Sequence, residues 1–74
     1  MSKTQDEILF ELFTYHSPTE DDVVKYAAIN DAAKNLARVI LDSCPPCADQ
    51  SAAIRKVREA RMTANAAIAC KGLV

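Results

Sequence analysis

The sequence predicts an all-α fold: an antiparallel two-helix hairpin with a short N-terminal segment, assembled as a homo-oligomer. Three observations predict it. The 74 residues include one glycine and no tryptophan and use alanine heavily, and alanine has the best helix propensity. Two long stretches without helix breakers, each with apolar residues at alternating spacings of three and four, flank a Pro-Pro pair. Finally, alanine buries little apolar area per residue, so a hairpin cored by it needs other copies to cover its faces. The expected organisation is an N-terminal segment over 1–18 and a helical-hairpin domain over 19–72.

Thr4-Gln5-Asp6-Glu7 has capping-box spacing, with Thr4 as N-cap and Glu7 three residues on. A short helix over Ile8-Leu9-Phe10-Glu11-Leu12-Phe13 fits this start. An extended segment fits it too, because so short an apolar run has no decisive period. Pro18 then pushes Ser17 out of the helical region.

The first long helix starts at Thr19, a good N-cap, followed by Glu20, Asp21 and Asp22 where the helix dipole favours negative charge. Nothing breaks it before about Ser43. Its seam is Tyr26, Ile29, Ala33, Leu36 and Ile40, with a smaller strip of Ala28, Ala32 and Val39 alongside. Cys44-Pro45-Pro46-Cys47 stops it. The second long helix is expected from about Pro46 or Asp49 to Cys70, with the seam Ile54, Val57, Ala64 and Ile68 and with Lys71-Gly72 as its cap. So short a connection makes the two helices antiparallel neighbours.

The formal net charge of −1 argues against a general DNA or RNA binder. Arg55, Lys56, Arg58 and Arg61 nevertheless cluster, which leaves room for a small anionic ligand. The N-terminal residues lack the apolar stretch of a signal peptide, and no apolar run is long enough to span a membrane. The expected setting is the cytoplasm, with reduced cysteines.

Candidate chemistry is sparse. Cys44, Cys47, Cys70 and His16 would make an acceptable zinc set. However, Cys47 and Cys70 lie at opposite ends of one helix, roughly 35 Å apart at 1.5 Å per residue, and His16 lies at the end away from Cys44. A redox role for Cys44 and Cys47 would want a strand-to-helix junction, and no strand is expected. One histidine and no glycine-rich phosphate loop or nucleophile motif give no enzyme. No cofactor or metal is expected.

Arg61 stands where the seam calls for an apolar residue, and a buried arginine needs a partner. Asn65 is one turn later, and Asn30 flanks the seam of the first long helix. These polar groups fit an internal register network, a rim in contact with water, or a ligand site. Tyr15 and His16 fit a staple against the following helix, or a platform for a nucleobase.

Several stretches carry a family resemblance. They are Phe13-Thr14-Tyr15-His16-Ser17-Pro18-Thr19; Lys25-Tyr26; Asp31-Ala32-Ala33-Lys34-Asn35-Leu36-Ala37; Cys44-Pro45-Pro46; Asp49 to Ala60; and Ala64-Asn65-Ala66-Ala67-Ile68-Ala69. Over residues 13 to 71 the chain resembles the helical-hairpin domain of phage nucleotide sponges that blunt CBASS and Thoeris immunity. The Pro-Pro turn and the Ala-Asn-Ala-Ala-Ile-Ala ending are its most specific parts.

The resemblance implies a compact homo-oligomer, commonly a hexamer, in the host cytoplasm. Such proteins hold cyclic di- or trinucleotides, or a cyclised ADP-ribose species, without cleaving them, in pockets between protomers. The family's aromatic position falls on Tyr15 and its basic position on Asn30, where this chain departs from the pattern. Asparagine can donate a hydrogen bond to phosphate but brings no charge. Lys25, Lys34 or Arg61 would have to compensate, with His16 and Asn65 as further contacts. The rival reading is a structural oligomerisation or protein-interaction module with no small-molecule ligand.

Overall fold

The computed structural model describes residues 3–72. These form three helices and no strand: α1 (Gln5–Phe13), α2 (Glu20–Ser43) and α3 (Ala48–Ala69). The N-terminal run is therefore helical. Thr4 caps α1 in a full capping box: its hydroxyl accepts from the Glu7 N–H at 3.2 Å and the Glu7 carboxylate faces it in return. Thr19 and Asp22 repeat this at the start of α2, with both hydrogen bonds at 3.1 Å. Those bonds hold the Asp22 carboxyl below its ordinary value, the Thr19 backbone N–H being the main cause.

Cys44 to Cys47 turn the chain, and α3 begins two residues beyond Pro46. Neither Pro46 nor Asp49 opens it. Cys47 is its N-cap, the sulfur accepting from the Gln50 N–H at 3.4 Å. The Gln50 side chain reaches back to donate to the Cys44 carbonyl at 3.0 Å, tying the two ends of the turn together.

At its far end α3 closes in a Schellman arrangement. The Gly72 N–H donates to the Ala67 carbonyl at 3.1 Å and the Lys71 N–H to that of Ile68 at 3.2 Å. The left-handed residue this motif needs is Lys71, at φ 53°, with Gly72 following at φ 77°. The glycine thus sits one place beyond the position that most requires it.

Among the described residues α2 and α3 pack on each other, and α1 packs on neither. The half-buried seam of α2 is Tyr26, Ile29, Ala33, Ala37 and Ile40, and that of α3 includes Ile54, Val57, Arg61, Ala64 and Ile68. Leu36, expected in the seam, is 51% exposed and Ala37 takes its place. The reason is helical phase. A 3.6-residue turn drifts against a strict alternation of three and four, so after Ala33 the next contact comes four residues on.

One packed seam cannot enclose a core, and no described residue is buried. A compact chain of 8.1 kDa should expose about 4,500 Å²; this one exposes 5901 Å². Its radius of gyration of 15.8 Å exceeds the roughly 11 Å of a compact domain of this length. Among the described residues no helix is long and apolar enough to cross a membrane.

Candidate functional site

The seam divides the hairpin into two faces of opposite character. On one face α2 supplies Asn30, Ala33, Lys34 and Ala37 and α3 supplies Val57, Arg58 and Arg61 to a groove of about 300 Å³. On the other, Ile29, Ala32, Leu36, Ala60 and Ala64 line an apolar groove, also of about 300 Å³, that shares Ala33, Val57 and Arg61 with the first. At about 100° per residue, Asn30, Lys34 and Ala37 fall to one side of Ala33 and Ile29, Ala32 and Leu36 to the other. Periodicity thus sorts polar from apolar around the same contact line.

The polar groove holds three cations and an amide over a floor of alanine and valine, and no carboxylate, histidine or thiol lines it. Lys34, Arg58 and Arg61 take no part in the ion pairs found among the described residues. Small residues on the floor leave depth, and long basic side chains stand at the rim. That arrangement suits a flat, anionic guest.

Of the residues singled out from the sequence, Asn30, Lys34 and Arg61 come together here. The others do not join them. Tyr15 stands in the α1–α2 connection, 82% exposed, so it does not pack as a staple. His16 Nε2 lies 2.7 Å from the Glu11 carbonyl and 3.8 Å from the Glu11 carboxylate. Donating from Nε2, the ring satisfies a carbonyl in the last turn of α1, so this nitrogen is engaged within the chain.

Lys25 pairs with Asp21 at 2.9 Å, one turn earlier on the same exposed surface. The hydrogen bond that Lys25 donates to that carboxylate raises its ammonium above the ordinary value. It lines neither groove. Asn65 is half-buried with its Oδ1 enclosed and unpartnered, so the Arg61–Asn65 register network is not formed within one chain. An enclosed acceptor without a donor is costly, which makes this oxygen a point where the single hairpin is incomplete.

Arg58 is the groove residue that the sequence noted only as part of a basic cluster. The signal was its position three before Arg61, which puts the two on neighbouring stripes of α3. Cys44 and Cys47 are free and exposed and Cys70 is half-buried. No group of potential metal ligands gathers among the described residues. Cys44 and Cys47 serve as the C-cap of α2 and the N-cap of α3.

Compared with known families, residues 5–69 match the family model described as Acb2/Tad1, hairpin domain. The match covers α1 as well as the hairpin. No curated protein and no solved structure matches the chain.

Proposed function

The chain belongs to the Acb2/Tad1 hairpin-domain family, and we propose that it is an anti-defence sponge that binds a host cyclic oligonucleotide messenger and holds it without cleavage. The observation that carries this reading is the groove in which Asn30, Lys34, Arg58 and Arg61 surround a small-residue floor. Its lining offers positive charge and hydrogen-bond donors for phosphate, and no carboxylate, imidazole, hydroxyl or thiol stands among them.

The working unit in this proposal is a homo-oligomer, a hexamer on the family pattern. The surplus exposed area, the unpacked α1 and the enclosed oxygen of Asn65 support it, since each is a deficit that a second copy can fill. Tyr15 then supplies the stacking face for a base. Asn30, Lys34 and Arg61 take phosphate, while His16 through its second nitrogen, Lys25 and Asn65 contribute from the neighbouring copy's side of the pocket.

Isothermal titration against cyclic dinucleotides, cyclic trinucleotides and cyclised ADP-ribose species tests it. Binding at or below micromolar concentration to one class, with the ligand recovered intact, is the expected result. Silence across the whole panel would end the proposal. Tyr15→Ala should weaken binding by about 1–3 kcal/mol, the loss of one aromatic–base stack.

The apolar groove favours a second reading, a module that only associates with itself or a protein. On that reading no small molecule raises the melting temperature.

A further inference from the structure

We propose that the hairpin turn carries a dithiol modification site: Cys44 and Cys47 close into a disulfide by exchange with a small-molecule disulfide, and the closure releases the N-cap of α3. Neither cysteine lines a groove, so the site stands whether or not the chain holds a cyclic nucleotide.

Four features carry it. The two thiols are free and exposed. Only Pro45 and Pro46 separate them, and the chain bends at Cys44 and again over Pro46 and Cys47. Each proline fixes its φ at about −65°, so the segment has little freedom left to lose on closure. Gln50 ties both ends of this segment to the first turn of α3. Its side chain donates to the Cys44 carbonyl at 3.0 Å and its backbone N–H to the Cys47 sulfur at 3.4 Å. The third thiol, Cys70, is the C-cap at the far end of α3, roughly 35 Å from Cys47 at 1.5 Å per residue. Within one chain Cys47 is therefore the partner open to Cys44.

The exchange conserves atoms and electrons. One cysteine thiolate attacks a sulfur of the incoming disulfide and expels one small thiolate. The other then attacks the mixed disulfide at the protein sulfur and expels the second. Two electrons pass from the cysteine pair to the small disulfide, and the two protons the cysteines lose go to the released thiolates. The pair turns over no substrate, so it has no need of the strand-to-helix junction of a catalytic dithiol. In a reducing compartment it stays open, and a shift in redox poise closes it.

The fold senses the closure because the Cys47 sulfur is the acceptor that caps α3. Bonded to a second sulfur, it turns toward Cys44 and leaves the Gln50 N–H to water. Cys44 is the C-cap of α2, so one bond joins the ends of both long helices.

The test equilibrates the full chain with glutathione buffers from fully reduced to fully oxidised, then reads intact mass, peptide maps and hydrogen exchange of the Gln50 amide. Wild type and Cys70→Ser should lose the mass of two hydrogen atoms, with Cys44 joined to Cys47 in a single chain, and regain it with dithiothreitol. Cys44→Ser and Cys47→Ser should each carry a glutathione adduct instead. The Gln50 amide should exchange about two- to tenfold faster in the oxidised wild type, the equivalent of one modest hydrogen bond. Glutathione adducts or covalent dimers in place of the internal disulfide would overturn the proposal, as would a bond to Cys70. An internal disulfide with an unchanged Gln50 amide would overturn the release of the cap and leave the modification site standing.

Discussion

Replacing Leu36 by Gln probes whether the hairpin depends on its own copies. Leu36 lies on the apolar groove, 51% exposed and outside the α2–α3 seam. Glutamine keeps the length and helix propensity of the side chain while removing its apolar character. Fully burying a leucine contributes about 1.5–3 kcal/mol, so covering the exposed half contributes about 0.8–1.5 kcal/mol per copy. At 1.4 kcal/mol per decade, the association constant should fall roughly 4- to 12-fold for each Leu36 in a contact. The wild-type chain has area to spare for such contacts. Its excess over a compact fold, about 1,400 Å², is larger than the roughly 800 Å² each partner contributes to a standard interface. Sedimentation velocity across a micromolar dilution series, with circular dichroism at each point, measures the effect. The expected result is an assembled, helical wild type and a Leu36→Gln variant that dissociates at higher concentration. Well-folded single chains of wild type at micromolar concentration would refute the reasoning, as would identical profiles for the two proteins.

Three further outcomes follow from the helix ends. Lys71→Gly should stabilise the fold by about 1 kcal/mol in urea denaturation, since Lys71 holds the left-handed cap at φ 53° that glycine adopts without a Cβ penalty. Cys47→Ser should raise stability by a few tenths of a kcal/mol up to about 1, because a hydroxyl caps α3 better than a thiol accepting at 3.4 Å. Stability should also fall in acid. The Asp22 carboxyl titrates below its ordinary 3.8 in the folded chain, so between its folded and unfolded values the unfolded state binds more protons. Its contribution is complete above the unfolded value and is lost as pH falls through the folded one. Melting curves from pH 6 down to pH 2 should show this acid limb, and Asp22→Asn should flatten it.

Neighbouring residues alone encode the two long helices, the threonine caps of α1 and α2, and the turn; they left α1 open between helix and extended and did not point to Cys47 as the cap of α3. Thr4 with Glu7 and Thr19 with Asp22 close capping boxes within four residues, and the Pro-Pro pair can end a helix whatever surrounds it. The breaker-free stretches between them could only be long helices, and a four-residue connection could only fold them back. What tertiary structure alone decided is everything that depends on rotation about those helices. Leu36 and Ala37 are both acceptable seam residues in one dimension. The packing of α2 on α3 put Ala37 inward and left Leu36 to the apolar flank. The same rotation drew Arg58 toward Lys34 and left the Asn65 oxygen without a donor. His16 turned back onto the Glu11 carbonyl for a reason no period records: the chain between α1 and α2 had to satisfy the end of a helix that packs on nothing. Local hydrogen bonds are encoded by neighbours in the chain. The phase of one helix against another is set by the sum of its contacts, and only the folded pair reveals it.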